Sequence, residues 1–498
     1  MRLISLIVTC ALVVSAESSF EQVQSHVSEF TLKNGLKFII LERHQAPVAS
    51  FYTLVNAGSA QEKMGTGGIA HMFEHMAFKG TSTIGTKNYA EEKNSLDRVD
   101  QAFKAIQLER DKGRKADPAK LKQLNEEFKA AQETAGKFVE PNEFGSLIDR
   151  AGGRNLNAST RWDFTDYFFS LPSNSSELWF YLESERWRDP VFREFYKERD
   201  VVMEERRMRT ESNPVGKLVE EFLAIAYKVH PYGLPPVGYM SDLQNITRPD
   251  AVDFFKKYYQ PSNMVMAIVG DVDAKEMKRL AETYFARIPS APKPEPLRTV
   301  EPEQKFERRV TVKLQAQRVL LIGYHKPDKN DPDAAVYDTL GSVLSEGRSS
   351  RLQREIVQNQ KLAVAAFGFP GFPGEKYPNL FIFGGFTAPG KTNEELEKSM
   401  MAQIERTKTE LVTKEELEGV KNRFRSGMMG LFKDNTSMAS EMAQWETLTG
   451  DWRNMFRYLD QLEKVTPEDI QRVAKLTFTD GNRSVGIIEP LETAAAKK

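Results

Sequence analysis

The chain alternates between short runs with a strand pattern and longer runs with a helical pattern. Residues 30–41 form two apolar runs around Asn34-Gly35, a dipeptide suited to the positive φ angles of a tight turn, and this predicts a β-hairpin. Positions 48–55 predict a further strand. The proline-free stretch 67–78 is rich in helix formers and predicts the first helix.

From Tyr89 to Lys137 the pattern changes to charged helix formers with apolar residues at near-helical spacing. Asp117-Pro118 interrupts the run, because proline is poorly tolerated inside a helix but well placed in its first turn. We therefore predict an inserted helical hairpin over residues 89–137 with a solvated, charged surface; a lid or docking arm is the alternative. Because longer loops cost only slightly more entropy to close, we expect a short Gly/Ser loop in its place to leave His71, His75 and Glu205 in position.

Two further patterns follow the hairpin. Gly152-Gly153 and the residues up to position 169 predict a turn and two strands. Residues 196–208 form a charge-rich segment that predicts a helix. Taken alone, this segment is typical of a solvated helix face with ion pairs four residues apart.

An internal repeat divides the chain. Residues 246–263 have a counterpart 219 positions later, at 465–482, and each copy predicts a capped helix, a turn and a closing strand. The chain is thus expected to contain two copies of one α+β fold. The proposed division is listed in chain order: signal peptide 1–16, N-terminal half 17–288, proline-rich linker 289–306, C-terminal half 307–490 and tail 491–498.

Composition and net charge exclude some classes of function. With 498 residues and 40% apolar content, the chain can bury the cores of two to four domains. The net charge of −1 provides no basic surplus for nucleic acid, and no apolar run after the start is long enough to span a bilayer. Small molecules or polypeptides are the remaining classes of substrate.

The first residues predict a secretory signal. Met1-Arg2, an apolar run to Val14 and the small residue Ala16 have the expected order, so we predict a secreted or periplasmic protein. An uncleaved anchor is the alternative, but the run is too short to span a membrane. Cys10, the one cysteine, lies in this leader, so a metal site in the mature chain must use His, Asp or Glu.

The segment His71-Met72-Phe73-Glu74-His75 carries the candidate chemistry. His71 and His75, four residues apart on one helix face, can bind one metal ion, and Glu74 can reach a water on that ion as a general base. Two buried histidines on an apolar helix are the alternative.

This H-x-x-E-H pattern resembles the inverted zinc motif of the pitrilysin/insulinase family of metallopeptidases, and the chain looks most like bacterial members that resemble the mitochondrial processing peptidase. The resemblance covers nearly all of the chain after the leader. It implies two homologous α/β-sandwich halves that form a clamshell, with the catalytic site in the N-terminal half.

The resemblance also implies the third ligand. In the family's second metal helix, two acidic residues seven apart share one face, and Glu198 and Glu205 match that spacing. Glu205 would bind Zn²⁺ and Glu198 would orient a ligand or water, whereas Glu204 points off that face. The 130 positions between His75 and Glu205 exceed the usual spacing, which the predicted hairpin explains. His230 fits a structural loop better than a fourth ligand.

By the same resemblance, Asn157 and Ala158 lie on an exposed edge strand beside the metal and bind the substrate backbone; an ordinary paired strand is the alternative. Tyr377 matches a substrate-binding tyrosine of the second half. The arginine expected near it is missing from residues 367–386, so a partner in a homodimer, or in a heterodimer with a related subunit, is expected to supply that group.

In the second half, residues 334–344 take the place of the metal helix. Asp338, Gly341 and Ser342 then stand where the ligands and the base would be, so we expect no second metal site.

These observations predict a zinc-dependent endopeptidase that hydrolyses peptides or unstructured polypeptides. Glu74 takes a proton from a water that the metal activates. The alternative is a partner-binding subunit of a peptidase complex in which the metal is structural.

Overall fold

The computed structural model describes residues 23–491. The predicted signal peptide 1–16, and all but the first residue of the tail 491–498, lie outside the described residues. Between residues 23 and 491, no helix is long and apolar enough to cross a bilayer.

The N-terminal half is built on a six-stranded sheet in the order β1-β2-β6-β3-β5-β4. Its strands are β1 (Val27–Thr31), β2 (Lys37–Glu42), β3 (Val48–Val55), β4 (Arg154–Thr160), β5 (Thr165–Pro172) and β6 (Met264–Gly270). The predicted hairpin is confirmed, because β1 and β2 pair antiparallel through a turn in which Gly35 has a φ of +94°.

Among the described residues of this half, most α-helices pack on one face of the sheet. The helices are α1 (Ile69–Met76), α2 (Tyr89–Arg110), α3 (Pro118–Gly136), α4 (Glu143–Arg150), α5 (Ser176–Arg188), α6 (Phe195–Arg206), α7 (Pro214–Ala226), α8 (Met240–Asn245), α9 (Arg248–Tyr258) and α10 (Ala274–Phe285). A large aromatic core, with Phe38, Phe51, Phe73 and Trp179 fully buried, fills the space between the sheet and these helices.

The C-terminal half repeats this plan with five strands in the order β7-β11-β8-β10-β9. The strands are β7 (Arg308–Leu314), β8 (Val319–Lys326), β9 (Ala363–Phe372), β10 (Asn379–Thr387) and β11 (Arg483–Pro490). The helices are α11 (Ala334–Ser345), α12 (Asn393–Thr409), α13 (Lys414–Leu431), α14 (Asn435–Thr449), α15 (Asn454–Lys464) and α16 (Pro467–Thr477). In both halves, one parallel strand pair, β2/β6 or β7/β11, stands beside antiparallel neighbours.

The predicted internal repeat is confirmed. Thr247 and Thr466 each open a helix with a capping box, as their spacing to an aspartate three residues later indicates. Asn263 and Asn482 each donate from Nδ2 to the carbonyl five residues earlier, at 2.8 and 2.9 Å. Both copies then enter a closing strand.

The two halves exchange one helix each. Helix α7 packs on the C-terminal sheet, where Phe222 joins a core with Leu321 and Ile488. Helix α14 packs on the N-terminal sheet, where Met442 joins a core with Tyr52. The prediction of two homologous α/β-sandwich halves in a clamshell is confirmed. Residues 289–306 between them contain no helix or strand, which fits their proline content.

The charged hairpin has the predicted helices, but its surface is not solvated throughout. Asp117 caps α3, with Pro118 in its first turn, and the two ends meet where Lys87 N donates to Phe138 O at 2.8 Å. Helix α2, however, buries an apolar face in the N-terminal core, listed here: Leu96, Val99, Phe103 and Ile106. A short loop in place of the hairpin would therefore leave a hole in the core, and the expectation that His71, His75 and Glu205 keep their places without the hairpin stays a prediction.

Candidate metal centre and its cavity

Helix α1 carries three of the predicted site residues, and its start is unusually well fixed. Gly68 has a φ of +90°, and a Cβ there would lie 2.6 Å from Val237 O, so the position requires glycine. The carboxylate of Glu62 accepts from Gly68 N and Ala70 N, both at 2.9 Å. These bonds satisfy free amides at the start of the helix and fix the orientation of its histidine face.

The structure brings His71, His75 and Glu205 together. Glu205 Oε2 lies 3.4 Å from His71 Nε2 and 3.5 Å from His75 Nε2, and one ligand atom from each residue falls within 4.8 Å of the others. Two imidazole nitrogens and one carboxylate oxygen are the donor set of many catalytic zinc sites. The residues present therefore fit a zinc ion that keeps one position open.

Glu198 contacts this cluster from behind His75. Its Oε2 lies 3.4 Å from His75 Nδ1, the ring nitrogen that does not face Glu205, and Lys79 Nζ lies 2.5 Å from its other oxygen. Burial opposes the charged forms, but the hydrogen bond between the two residues raises the pKa of His75 to about 9 and lowers the pKa of Glu198 to about 2, with Lys79 adding to the second shift. Glu198 thus contacts the side of the His75 ring that is turned away from Glu205.

Glu74 stands beside the cluster and has a different partner. Thr160 Oγ1, at the end of β4, donates to Glu74 Oε2 at 2.6 Å. Burial raises the pKa of Glu74, which the bond from Thr160 partly offsets. Among the described residues, Glu74 is not part of the three-residue group that could hold a metal ion. Its position fits a proton acceptor rather than a ligand.

Glu204 and Glu205, adjacent in sequence, have opposite surroundings. The Glu204 side chain is 60% exposed and pairs with Arg207 at 2.7 Å, on the outer face of α6. Glu205 is 15% exposed, and its second oxygen lies 2.5 Å from Arg209. The helix geometry therefore directs only Glu205 towards the histidines.

A cavity of about 610 Å³ opens beside the cluster. Glu74, His75 and Glu198 line it, together with Asn157 and Ala158 of β4. Strand β4 is the last strand of its sheet, so in the part of the chain that the structure describes its outer edge has no neighbouring strand. An edge strand and one histidine of the cluster thus line the same space.

Tyr377 lies elsewhere. It is not among the residues that line this cavity, and its ring packs against His230 and Tyr232, at centroid distances of 5.2 and 5.9 Å. His230 Nδ1 accepts from Tyr232 N at 3.2 Å, and burial lowers the pKa of His230 to about 4. Neither ring joins the metal-binding group.

Helix α6, which carries Glu198 and Glu205, is supported by the hairpin. The Phe103 ring of α2 lies 4.6 Å from that of Tyr196, and the Arg199 guanidinium lies 4.4 Å above Phe103. Asp100 accepts from the Tyr196 hydroxyl at 3.1 Å. Helix α2 therefore fixes the helix that presents Glu198 and Glu205, which helical periodicity alone did not indicate.

Three contributors were not predicted from the sequence. Lys79 lies four residues after His75, a spacing that could have placed it on the same face. Thr160 is the last residue of β4, the strand in which Asn157 was predicted to bind substrate. Glu62 has no local signal, because its partners become neighbours only when α1 folds back on the preceding loop.

Comparison with known proteins places the chain in a family. Residues 37–126 match the family model described as "Insulinase (Peptidase family M16)". Residues 245–424 match that of the "Peptidase M16 inactive domain". The first match includes His71, Glu74 and His75, and the second covers much of the half without the cluster. Together the two matches take in more than half of the chain.

Similar proteins cover most of its length. The "Zinc protease PqqE" of Helicobacter pylori is 29% identical over 468 residues, which is 92% of each chain. The crystal structure of a protease from Helicobacter pylori has a TM-score of 0.78 and 27% identity, covering 93% of this chain and 99% of that one. The periplasmic protease PqqL from Escherichia coli has a TM-score of 0.70 and 18% identity, covering 95% of this chain and 48% of that one. The chain therefore belongs to the insulinase family of peptidases, family M16.

Proposed function

We propose that this protein is a zinc-dependent endopeptidase that cleaves peptides or unstructured polypeptides. One observation carries the proposal: the Glu74 carboxylate stands beside the group of His71, His75 and Glu205, in a cavity that is also lined by Asn157 and Ala158 of the edge strand β4. A site that only stabilised the fold would have no use for an unligated carboxylate at that place. The zinc protease name of the Helicobacter pylori relative supports the choice of metal.

His71, His75 and Glu205 would hold the ion, and Glu198 would keep the His75 ring turned towards it. When bound, zinc supplies Lewis-acid chemistry that polarises a carbonyl and makes water more acidic. Glu74 accepts the proton of the attacking water and returns it to the departing amine. Thr160 holds the Glu74 carboxylate in place for both transfers.

The substrate backbone would pair with the outer edge of β4, where Asn157 and Ala158 line the cavity. Main-chain pairing supplies affinity without requiring one sequence, which suits a peptidase. We propose a secreted or periplasmic location, because the first residues have the pattern of a signal peptide and the similar PqqL structure is that of a periplasmic protease.

The decisive experiment compares Glu74→Gln with Glu140→Gln, a control on the exposed wall of the same cavity. We expect Glu74→Gln to keep one zinc per chain and to lose about 100- to 10,000-fold in peptide hydrolysis, because an amide cannot accept the proton. Glu140→Gln should retain both. Zinc content and cleavage of an unstructured peptide are the measurements.

Two outcomes contradict the proposal. Glu74→Gln that cleaves at the wild-type rate would remove the assigned base. Wild-type protein that holds one zinc but cleaves no peptide would favour the alternative, a partner-binding subunit with a structural metal.

A further inference from the structure

A contact between the two halves lies close to Glu74. The turn between β4 and β5, residues 161–164, carries Asp163, which is 4% exposed. Its Oδ2 accepts from Glu375 N at 2.8 Å and from Lys376 N at 3.1 Å, both in the C-terminal half. Its Oδ1 accepts from the Tyr232 hydroxyl at 2.5 Å. One buried carboxylate thus binds the loop between β9 and β10, residues 373–378.

The loop from the C-terminal half fits tightly around Asp163. A Cβ at Gly374 would lie 2.5 Å from Asp163 Oδ2 and 2.6 Å from the Tyr232 hydroxyl, so no larger residue fits without displacement. Lys376 Nζ donates to Asn56 Oδ1 at the end of β3. The rings of Tyr377 and Tyr232 pack beside these bonds. The loop is therefore positioned against the N-terminal half by several independent contacts.

The same turn is held from the N-terminal side. Ser59 N donates to Arg161 O at 3.0 Å, and Ala60 N donates to Trp162 O at 2.9 Å. Gly58 permits this approach, because a Cβ there would lie 2.2 Å from Arg161 O. With contacts on both sides, the turn has one position relative to α1.

Thr160 directly precedes this turn and donates to Glu74 Oε2 at 2.6 Å. It also pairs with Thr165 across β4 and β5, so a shift of the turn moves Thr160 with it. A hydroxyl that moves by half an ångström loses much of a bond of this length. The C-terminal half is therefore connected to Glu74 through the turn at residues 161–164 and Thr160.

We propose that Asp163 is a positioning residue for the peptidase reaction: through it, the half without metal ligands fixes Thr160, the Glu74 carboxylate and the edge of β4. This inference rests on the proposed function. It places Tyr377 in the contact between the halves, where it supports the site without lining the cavity.

The test compares Asp163→Ala and Gly374→Ala with Arg308→Ala. Arg308 donates to Ile225 O and Ala226 O at 2.9 and 2.6 Å, so its loss weakens contact between the halves at another place. We expect Asp163→Ala and Gly374→Ala to keep one zinc and to lose about 10-fold in kcat, whereas Arg308→Ala keeps the wild-type kcat. Asp163→Asn, which retains acceptors for both amides, should recover most of the loss.

A double-mutant cycle with Thr160→Val separates positioning from general damage. If Asp163 acts through Thr160, adding Asp163→Ala to Thr160→Val should cost little further kcat, because the bond to Glu74 is already lost. Losses that multiply, an Asp163→Ala enzyme with wild-type kcat, or an Arg308→Ala enzyme with the same loss would each overturn the proposal. If Asp163→Ala does not fold, Tyr232→Phe removes one of the three bonds to Asp163 and the bond from Tyr377 N, and it should show the same pattern with a smaller loss.

Hydrogen exchange gives a measurement that does not depend on cleavage. The amides of residues 154–165 should exchange faster in Asp163→Ala and Gly374→Ala than in wild type and Arg308→Ala. Unchanged exchange would refute the inference. If the wild type cleaves nothing, the proposed function fails, and this measurement still decides whether Asp163 fixes the strand.

Discussion

Helices α1 and α11 occupy the same place in the two halves and have opposite roles. Each is followed by a glycine with left-handed backbone, Gly80 at φ +87° and Gly347 at φ +84°. This match sets the register in which Asp338, Gly341 and Ser342 take the places of His71, Glu74 and His75. The backbone frame is the same, but the side chains at the three candidate site positions differ.

Around α11 those differences close the space that is open around α1. A Cβ at Gly341 would lie 2.8 Å from Pro370 Cδ, and Ser345 Oγ donates to Gly368 O at 2.6 Å, so β9 lies directly on the helix. Asp338 is occupied by ion pairing with Lys329 at 3.1 Å. At α1, by contrast, the corresponding strand leaves a cavity. In the repeat, glycine at the position of Glu74 thus accompanies close packing of the strand on the helix.

The largest effect should come from Glu205, the proposed ligand that does not lie on α1. Glu205→Gln should lose zinc and nearly all hydrolysis, because one of three ligands disappears, a greater loss than the about 10- to 100-fold typical of an outer carboxylate. Glu204→Gln should keep both, since that side chain faces solvent. Metal analysis of the two purified variants is the check, and a depleted Glu204→Gln beside a zinc-loaded Glu205→Gln would move the ligand by one position.

An intermediate effect should follow from removing the support of α6. Phe103→Ala opens a hole between α2 and α6 and should lower the free energy of unfolding by about 3–5 kcal/mol, with weaker zinc binding. Urea unfolding with and without a chelator would measure both. Leu108→Ala, an exposed position on the same helix, is the control. If the two variants are equally stable, the hairpin does not stabilise α6, and its surface is merely solvated.

The smallest effect should appear at the counterpart of His75. Ser342→Ala removes a bond of 2.6 Å to Glu346 and should cost about 1 kcal/mol of stability without changing zinc content or hydrolysis. His75→Ala should abolish both. Loss of zinc in Ser342→Ala would show that the second half influences the metal in a way that its geometry does not indicate.

Local pattern was enough to predict much of this architecture. Strand β3, the helix face with His71 and His75, and the repeat all follow from periodicity and capping within a few residues of sequence. Glu205 required the family resemblance as well, because its charge-rich helix is also typical of a solvated surface.

The remaining features depend on residues that are far apart in sequence. Asp163 and Glu375 are separated by 212 positions, and nothing in either segment indicates that they meet. The same holds for Thr160 and Glu74, 86 positions apart, and for the buried face of α2. Charge suggested that this helix was solvated, whereas its apolar stripe packs into the core.

The exchanged helices have a consequence for how the molecule is assembled. Each sheet is covered on one side by a helix from the other half, so neither half can complete its own core. A single proteolytic cut within residues 289–306 should therefore leave two fragments that elute together on size exclusion, and fragments made separately should be poorly folded until mixed. The two halves are therefore expected to fold as one cooperative unit and not as independent domains joined by a linker.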